Sequence, residues 1–146
     1  MSPRRSPELE ARFRRLHAEQ QGVVAPNATT GRLSLSLPWP PQANHYYAVV
    51  RGRKILGSAG RRYHKDVLYR IPPGQRPLMG RLRVLFRAFP PDRRKRDLSN
   101  LLKAAEDALT KAGAWGDDSQ IDDLRIVRMP VQEGGALRVE IEEIPS

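Results

Sequence analysis

The segment from Pro90 to Gln120 constrains the fold of this chain more than any other. It reads PPDRRKRDLSNLLKAAEDALTKAGAWGDDSQ. Leu and Ala recur at helical spacing between Leu98 and Leu109, and Gly113 follows as a stop signal. The pattern predicts one amphipathic helix with a basic cluster before it and acidic residues on both sides. Cations hold phosphates and carboxylates hold the divalent metals that cleave phosphodiesters, so the segment is typical of a metal-dependent nuclease.

Alternating apolar and polar residues predict the strands around this helix. The expected strands are residues 33–37, 46–50, 54–56, 82–88, 121–131 and 137–141. The second and third are expected to pair as a hairpin, and a further helix is expected from Ser58, as its N-cap, to about Ile71. The order of these elements predicts an α+β fold, a single domain in which one mixed β-sheet is packed by two main helices.

The length of 146 residues suits one domain with a single core. Residues 1–31 are expected to form an N-terminal arm, helical or partly disordered, and residues 32–146 the folded domain. The chain has no Cys, which excludes disulfides, Cys-ligated zinc and a Cys nucleophile. There is no apolar run long enough to span a bilayer, so we expect a soluble cytoplasmic protein with no membrane partner.

The net charge of +10 is unevenly distributed. Residues 32–97 contain 16 Lys and Arg against 3 Asp and Glu, whereas residues 98–146 contain 5 against 10. A strongly basic first part suits a polyanion such as DNA or RNA. Nucleic acid is therefore the favoured partner.

Asp97 and the pair Asp117–Asp118 are the candidate metal ligands. Each has an ordinary structural alternative, because Asp is a preferred helix N-cap and Gly-Asp-Asp-Ser is common turn chemistry. The helix and loop between them reverse the chain and return Asp118 toward the start of the next strand. Lys103, within the helix, is either a solvated lysine or an ammonium that acts on the scissile phosphate or the attacking water.

The basic run that abuts Asp97, and the loop after the prolines at 38–41, are the candidate DNA contacts. The loop offers stackable aromatic rings, although core packing is an equal alternative for at least one of its tyrosines. The residues predicted to contact DNA are Arg93, Arg94, Lys95, Arg96, Asn44, Tyr46, Arg51, Arg53, Lys54 and Asn100. Both tryptophans, Trp39 and Trp115, are interpreted as structural.

Three stretches carry a resemblance to one family. LPWPPQANHYY, PPDRRKRDLSNLLKAAEDALTKAGAW and DDSQIDDLRIVRMPV resemble the RusA family of phage-type Holliday junction resolvases, from about Leu35 to Ile144. The resemblance implies a small homodimeric α/β endonuclease that uses Mg²⁺, with Mn²⁺ able to substitute. Such enzymes place symmetric nicks across four-way DNA junctions in recombination and repair. The resemblance also implies metal ligands at Asp97, position 99 and Asp118, with Asp117 beside the last, and an essential lysine at Lys103.

One position departs from the family pattern. The family usually reads Asp-Leu-Asp-Asn, whereas this chain has Ser99 between Leu98 and Asn100. A Ser hydroxyl can ligate Mg²⁺ but brings no negative charge, and Asp117 is the nearest acid to compensate. Two alternatives to an active junction endonuclease stay open. One is a catalytically impaired protein that binds branched DNA, and the other is a general basic nucleic-acid-binding module.

A symmetric homodimer is expected for an independent reason. Resolution of a four-way junction requires two matched nicks in opposing strands, and the chain offers one set of candidate ligands. Two active sites therefore require two chains, which a two-fold dimer supplies in the required relation.

Overall fold

The computed structural model describes residues 31–145. The arm predicted for residues 1–31 therefore lies, except for Gly31, outside the described residues. In chain order the elements are β1 Arg32–Leu37, α1 Ala43–Tyr46, β2 Tyr47–Val50, β3 Arg53–Leu56, α2 Ser58–Arg70, β4 Arg81–Phe89, α3 Leu98–Ala112, a 3-10 helix Asp118–Gln120, β5 Ile121–Arg128 and β6 Ala136–Ile144. Within this range no helix is both long and apolar enough to cross a membrane.

Four strands form a mixed sheet in the order β1-β6-β4-β5. The pairing of β4 with β5 is parallel, and the other two pairings are antiparallel. Because parallel neighbours need a crossover, α3 runs back along the sheet from the end of β4 to the start of β5. The two ends of α3 consequently lie near opposite ends of strands β4 and β5.

The core lies between one face of this sheet and helices α2 and α3. Val84, Phe86 and Ala88 of β4 are fully buried, as are Ala105 and Leu109 of α3. The opposite face of the sheet carries charged residues in cross-strand ion pairs. Those pairs are Arg32–Glu142, Arg83–Asp123, Arg83–Glu142 and Arg87–Glu140, and Asp123 also pairs with Arg125 of its own strand.

The expected α+β fold is confirmed, and four local features differ from expectation. Strand β5 ends at Arg128, three residues before the end of the expected strand at 131. The hairpin β2–β3 forms a separate two-stranded sheet instead of joining the main one. Its two four-residue strands are connected through Arg51 and Gly52, whose φ angles of 53° and 74° are those of a two-residue type I′ turn. The single helical turn α1 was not expected. Ser58 is the first helical residue rather than the N-cap, which is Gly57.

Candidate functional site

A basic cleft of about 780 Å³ opens where β4 ends and α3 begins. One wall comes from the loop before α3 and the other from the proline-rich segment after β1. The lining residues are Trp39, Pro40, Pro41, Gln42, Arg93, Arg94, Lys95, Arg96, Asp97, Asn100, Leu101 and Arg128. The loop is anchored to the end of the sheet, because the Arg128 guanidinium donates to the Arg96 carbonyl at 2.9 Å. The cleft is thus fixed to the rigid sheet rather than to a free loop.

The four consecutive cations of this loop divide into two groups. The side chain of Arg96 is only 18% exposed and donates to Asp92 Oδ1 at 2.7 Å. That hydrogen bond, with a second from the Arg94 backbone, lowers the pKa of Asp92 to about 2. Arg93, Arg94 and Lys95 are exposed, and Arg94 makes only a 3.7 Å contact with Asp92. Arg96 therefore shapes the cleft, and the other three present their charge to solvent.

Asp97 lies at the junction of the cleft and α3. It occupies the N-cap position of the helix, but its side chain makes no capping hydrogen bond. The residue is exposed. The capping alternative for Asp97 is therefore not realised, and its carboxylate faces solvent beside the three exposed cations.

Asp117 and Asp118, which follow the other end of α3, differ in their hydrogen bonding. The Asp117 carboxylate accepts from the Ser119 N–H at 3.0 Å and forms a capping box with Gln120. Hydrogen bonding to Ser119 lowers the pKa of Asp117. Asp118 begins the 3-10 helix, is exposed and makes no side-chain hydrogen bond within residues 31–145. Asp117 thus shapes the turn, whereas Asp118 has a free carboxylate.

Glu106 is a further acidic residue of this end, and the sequence analysis missed it. Burial, and secondly repulsion by Asp118, raise the pKa of Glu106. Glu106 follows Lys103 by three positions and Ser99 by seven, so all three lie on one flank of α3. That spacing was visible in the sequence and would have indicated an acid on the same helix face.

Asp97 and Asp118 are far apart in the single chain. Asp118 is near enough to Glu106 for its charge to raise the pKa of that residue. Glu106 is nine residues along the helix from Asp97, which is about 14 Å at the usual rise per residue. Metal ligands lie about 2–2.5 Å from their ion. In agreement, no three acidic or His residues of the described part come together in a way that would hold a metal. The chain therefore presents two half-sites, defined here as the Asp97 end and the Asp118 end of α3.

Lys103 is exposed on α3 between the two half-sites, and Ser99 and Asn100 are exposed in the first turn next to Asp97. Other acids near α3 are already engaged. Asp107 contacts Tyr46 and His64, and Asp122 is ion-paired with Arg81. Of the acids that the resemblance singled out, Asp97 and Asp118 thus have free carboxylates in the described part of the chain, and Glu106 is a further acid there without an ion-pair partner.

The hairpin places three predicted DNA contacts on the surface. Arg51, Arg53 and Lys54 are all exposed, and so are the apolar side chains of Val49 and Val50, at 74% and 48%. Such a projecting ribbon of cations and apolar side chains suits a nucleic-acid groove.

The prediction that Tyr46 contacts DNA is wrong. Tyr46 is 1% exposed, and its hydroxyl lies against His64, the Ala104 carbonyl and Asp107. Desolvation by burial, followed by the charge of Asp107, raises the pKa of Tyr46. The ring is a core group, and Asn44 in α1 stays a predicted contact. Trp115 is buried as expected, whereas Trp39 lines the cleft.

Comparison with known proteins adds an independent finding. Residues 38–142 match the family described as Endodeoxyribonuclease RusA. The chain is 45% identical over 113 residues to the crossover junction endodeoxyribonuclease RusA of Shigella sonnei, covering 76% of this chain and 94% of that protein. The corresponding proteins of Escherichia coli K12 and Enterobacteria phage 82 are equally similar, at 45% identity over 113 residues. They cover 76% and 75% of this chain and 94% and 93% of their own lengths.

Proposed function

The chain belongs to the RusA endodeoxyribonuclease family, and we propose that it is a metal-dependent endonuclease that resolves four-way DNA junctions by paired symmetric nicks. The observation that carries this proposal is the juxtaposition at the start of α3. An exposed, uncapped Asp97 carboxylate adjoins a cleft whose free cations suit a DNA backbone. With DNA as the substrate, we expect the activity to be cytoplasmic.

DNA binding is assigned to two surfaces. Arg93, Arg94 and Lys95 at the cleft provide charge for the backbone next to the scissile phosphate. The hairpin extends this surface with Arg51, Arg53 and Lys54, and its exposed valines suit a deformed or open duplex better than an intact one. Most arginines of the sheet are neutralised by ion pairs, whereas the cations of these two surfaces are exposed.

The acids fit the donor chemistry of Mg²⁺, for which Mn²⁺ is an adequate substitute, because both prefer hard oxygen ligands. The proposed ligands are Asp97 and Asp118, with Asp117 and the Ser99 hydroxyl in supporting positions. When bound, the metal supplies a polarised phosphate and an activated water. One chain does not bring these ligands together, so the fit requires a second chain.

We therefore propose a homodimer in which the Asp97 half-site of one subunit meets the Asp118 half-site of its partner. A two-fold axis near the middle of α3 relates the two half-sites in this way and forms two equivalent composite sites. Two sites in a symmetric relation are what paired nicks in opposing strands require. The free carboxylates near both ends of α3 support this arrangement, since neither has a side-chain partner among residues 31–145.

Lys103 is the proposed source of positive charge for the reaction. Its ammonium lies on the outward flank of α3 between the half-sites, where no carboxylate of residues 31–145 neutralises it. A free ammonium at this place stabilises the negative charge that develops on the phosphate. A charge-neutral replacement there is expected to slow cleavage more than it weakens DNA binding.

Ser99 favours one second candidate, a protein that binds branched DNA without cutting it. The exposed hydroxyl stands where the family has a carboxylate, so the Asp97 half-site carries one negative charge fewer. A lower ligand charge weakens divalent metal binding.

A single experiment separates the candidates. Purified protein is incubated with a mobile-core four-way junction and with linear duplex of equal length, in Mg²⁺ and in EDTA. The nuclease gives paired nicks in opposing arms only with the junction and Mg²⁺. A junction binder prefers the junction but leaves it intact at every Mg²⁺ concentration, and a general module binds both DNAs equally.

A further inference from the structure

The cleft contains an aromatic wall that phosphate binding alone does not use. Trp39 is partly exposed there, and the guanidinium carbon of Arg96 lies 5.7 Å from the centroid of its ring. Asp92 holds Arg96 in this position through the 2.7 Å hydrogen bond. The arrangement presents a stacked arginine and indole next to three free cations.

The position of Trp39 is fixed by its surroundings. The Tyr63 hydroxyl donates to the preceding Pro38 carbonyl at 2.9 Å. The backbone of Gly135 approaches so closely that a Cβ there would lie 3.0 Å from Trp39 Cβ, and its φ is 70°. Such a preset aromatic surface loses little conformational entropy on binding.

Two amide side chains without protein partners in the described residues line the cleft together with Trp39. Gln42 makes no side-chain capping bond, and neither Gln42 nor Asn100 hydrogen-bonds through its side chain to any other residue of the range 31–145. Both are exposed and line the cleft. An amide offers one acceptor and two donors, which match the edge of a nucleobase.

We propose that this cleft binds a single unstacked nucleotide of the DNA strand, with its base against Trp39, its edge at Gln42 and Asn100, and its phosphate at Arg93 and Lys95. The inference rests on the proposed function and deepens it. A volume of about 780 Å³ is within the range of small-ligand sites and admits one nucleotide with water. Base pairs at the branch point of a junction open more readily than those inside a duplex arm, and base–aromatic stacking holds an opened base regardless of its identity.

Because the amides contact the base edge, this cleft is also where the chain sets its sequence preference around the cut. The alternative for the same residues is that Trp39 only packs against Arg96 and the cleft holds backbone phosphates. The two differ in whether the indole contacts the DNA.

Direct binding in EDTA tests this without any cleavage. The protein has two tryptophans, and Trp115 is 1% exposed, so quenching by DNA reports on Trp39. Single-stranded oligonucleotides of five nucleotides are expected to quench the tryptophan emission of the wild-type protein. Binding by the variants, which lack this reporter, is followed through the fluorescence anisotropy of a dye-labelled oligonucleotide. Trp39→Ala should weaken binding about tenfold, the usual loss for one stacked base, whereas Trp39→Phe should retain most of it.

Two controls separate stacking from charge. Arg93→Ala should reduce the salt dependence of binding by about one counterion, and Trp39→Ala should leave it unchanged. Arg62→Ala removes an exposed cation of α2, away from the cleft, and should change neither the affinity for the oligonucleotide nor its salt dependence. In Gln42→Ala, affinities for oligonucleotides of the four bases should converge.

Equal binding by Trp39→Ala and the wild type, or unquenched emission at saturating oligonucleotide, would overturn the proposal. If Trp39→Ala does not fold, the proposal is tested by the quenching of the wild-type emission and by the affinity of Trp39→Phe for the oligonucleotide. A protein that cuts junctions in Mg²⁺ but shows no Trp39 effect loses only this inference. One that binds through Trp39 but never cuts loses only the nuclease.

Discussion

Asp97 and Asp118 are free carboxylates near opposite ends of α3. Asp97 is the N-cap of the helix, and Asp118 acts electrostatically on Glu106, about 14 Å further along the helix axis. The parallel pairing of β4 with β5 imposes this separation, since Leu82 is level with Ile121 and Ala88 with Arg128. No side-chain rotation closes such a gap. The acids of one chain therefore act together only if a second chain provides the complementary end.

Asp97→Asn is expected to abolish junction cleavage, by more than about 100-fold, because even outer-shell changes at metal sites cost 10- to 100-fold. Stability should change by less than about 0.5 kcal/mol, since the side chain makes no capping bond and Asn is itself a good N-cap. Rates of nicking and urea unfolding measure the two effects. A large loss of stability would show that Asp97 is a structural residue.

Ser99→Asp is expected to raise both divalent metal affinity and the cleavage rate. The change adds a carboxylate beside Asp97, and each carboxylate adds charge and an oxygen ligand. Titration with Mn²⁺ and single-turnover cleavage are the measurements. A variant that behaves like the parent at every metal concentration would exclude position 99 from the site.

Glu106→Gln tests the residue that the sequence analysis missed. The pKa of Glu106 is higher in the folded protein than in the unfolded chain, so the fold is stabilised by the protonated carboxyl. This stabilisation is fully present below the unfolded pKa and is lost as pH rises through the folded pKa. The Gln variant should therefore lose this pH dependence and melt no lower than the wild type at pH 7. Thermal scans between pH 4 and 8 measure both effects.

The same variant should bind Mn²⁺ about tenfold more weakly if Glu106 supplies charge to the Asp118 half-site. Glu133→Gln is the matched control, because Glu133 is exposed and without a charged partner in the described part of the chain. Equal metal affinity for the two variants would confine Glu106 to a structural role.

Tyr46→Phe distinguishes a core role from a DNA contact. The buried hydroxyl contacts the Ala104 carbonyl and Asp107, so its loss should cost about 1 kcal/mol of unfolding free energy. Junction affinity should remain within twofold of the wild type. Weaker binding with unchanged stability would restore Tyr46 to the DNA-contacting surface.

The sequence predicted the helices and strands well because their signals are local. Helix α3 begins and ends where the Leu and Ala period and Gly113 indicated, and β4 and β6 follow their alternation. The burial of Tyr46 could not be predicted, since it depends on α1 packing against α2 and α3. Neither could the two half-sites, because their separation follows from the parallel pairing of distant strands and not from spacing along the chain.

The arrangement of the cleft also depends on tertiary contacts that spacing along the chain does not show. The basic run was evident in the sequence, but the pinning of Arg96 by Asp92 depends on a loop conformation. The position of Trp39 opposite that run depends on the pairing of β1 with β6 and on the turn at Gly135. Tertiary contacts thus decided which cations remain free.

The most direct test of the composite site mixes two inactive variants. Asp97→Asn and Asp118→Asn subunits, each with a different affinity tag, are co-expressed and the mixed dimers purified. In a composite arrangement each mixed dimer keeps one intact site, formed by the unchanged Asp97 of one subunit and the unchanged Asp118 of the other. It should therefore nick junctions at roughly half the wild-type rate per dimer and leave them singly nicked. Mixed dimers as inactive as either variant alone, beside an active wild type, would contradict the account.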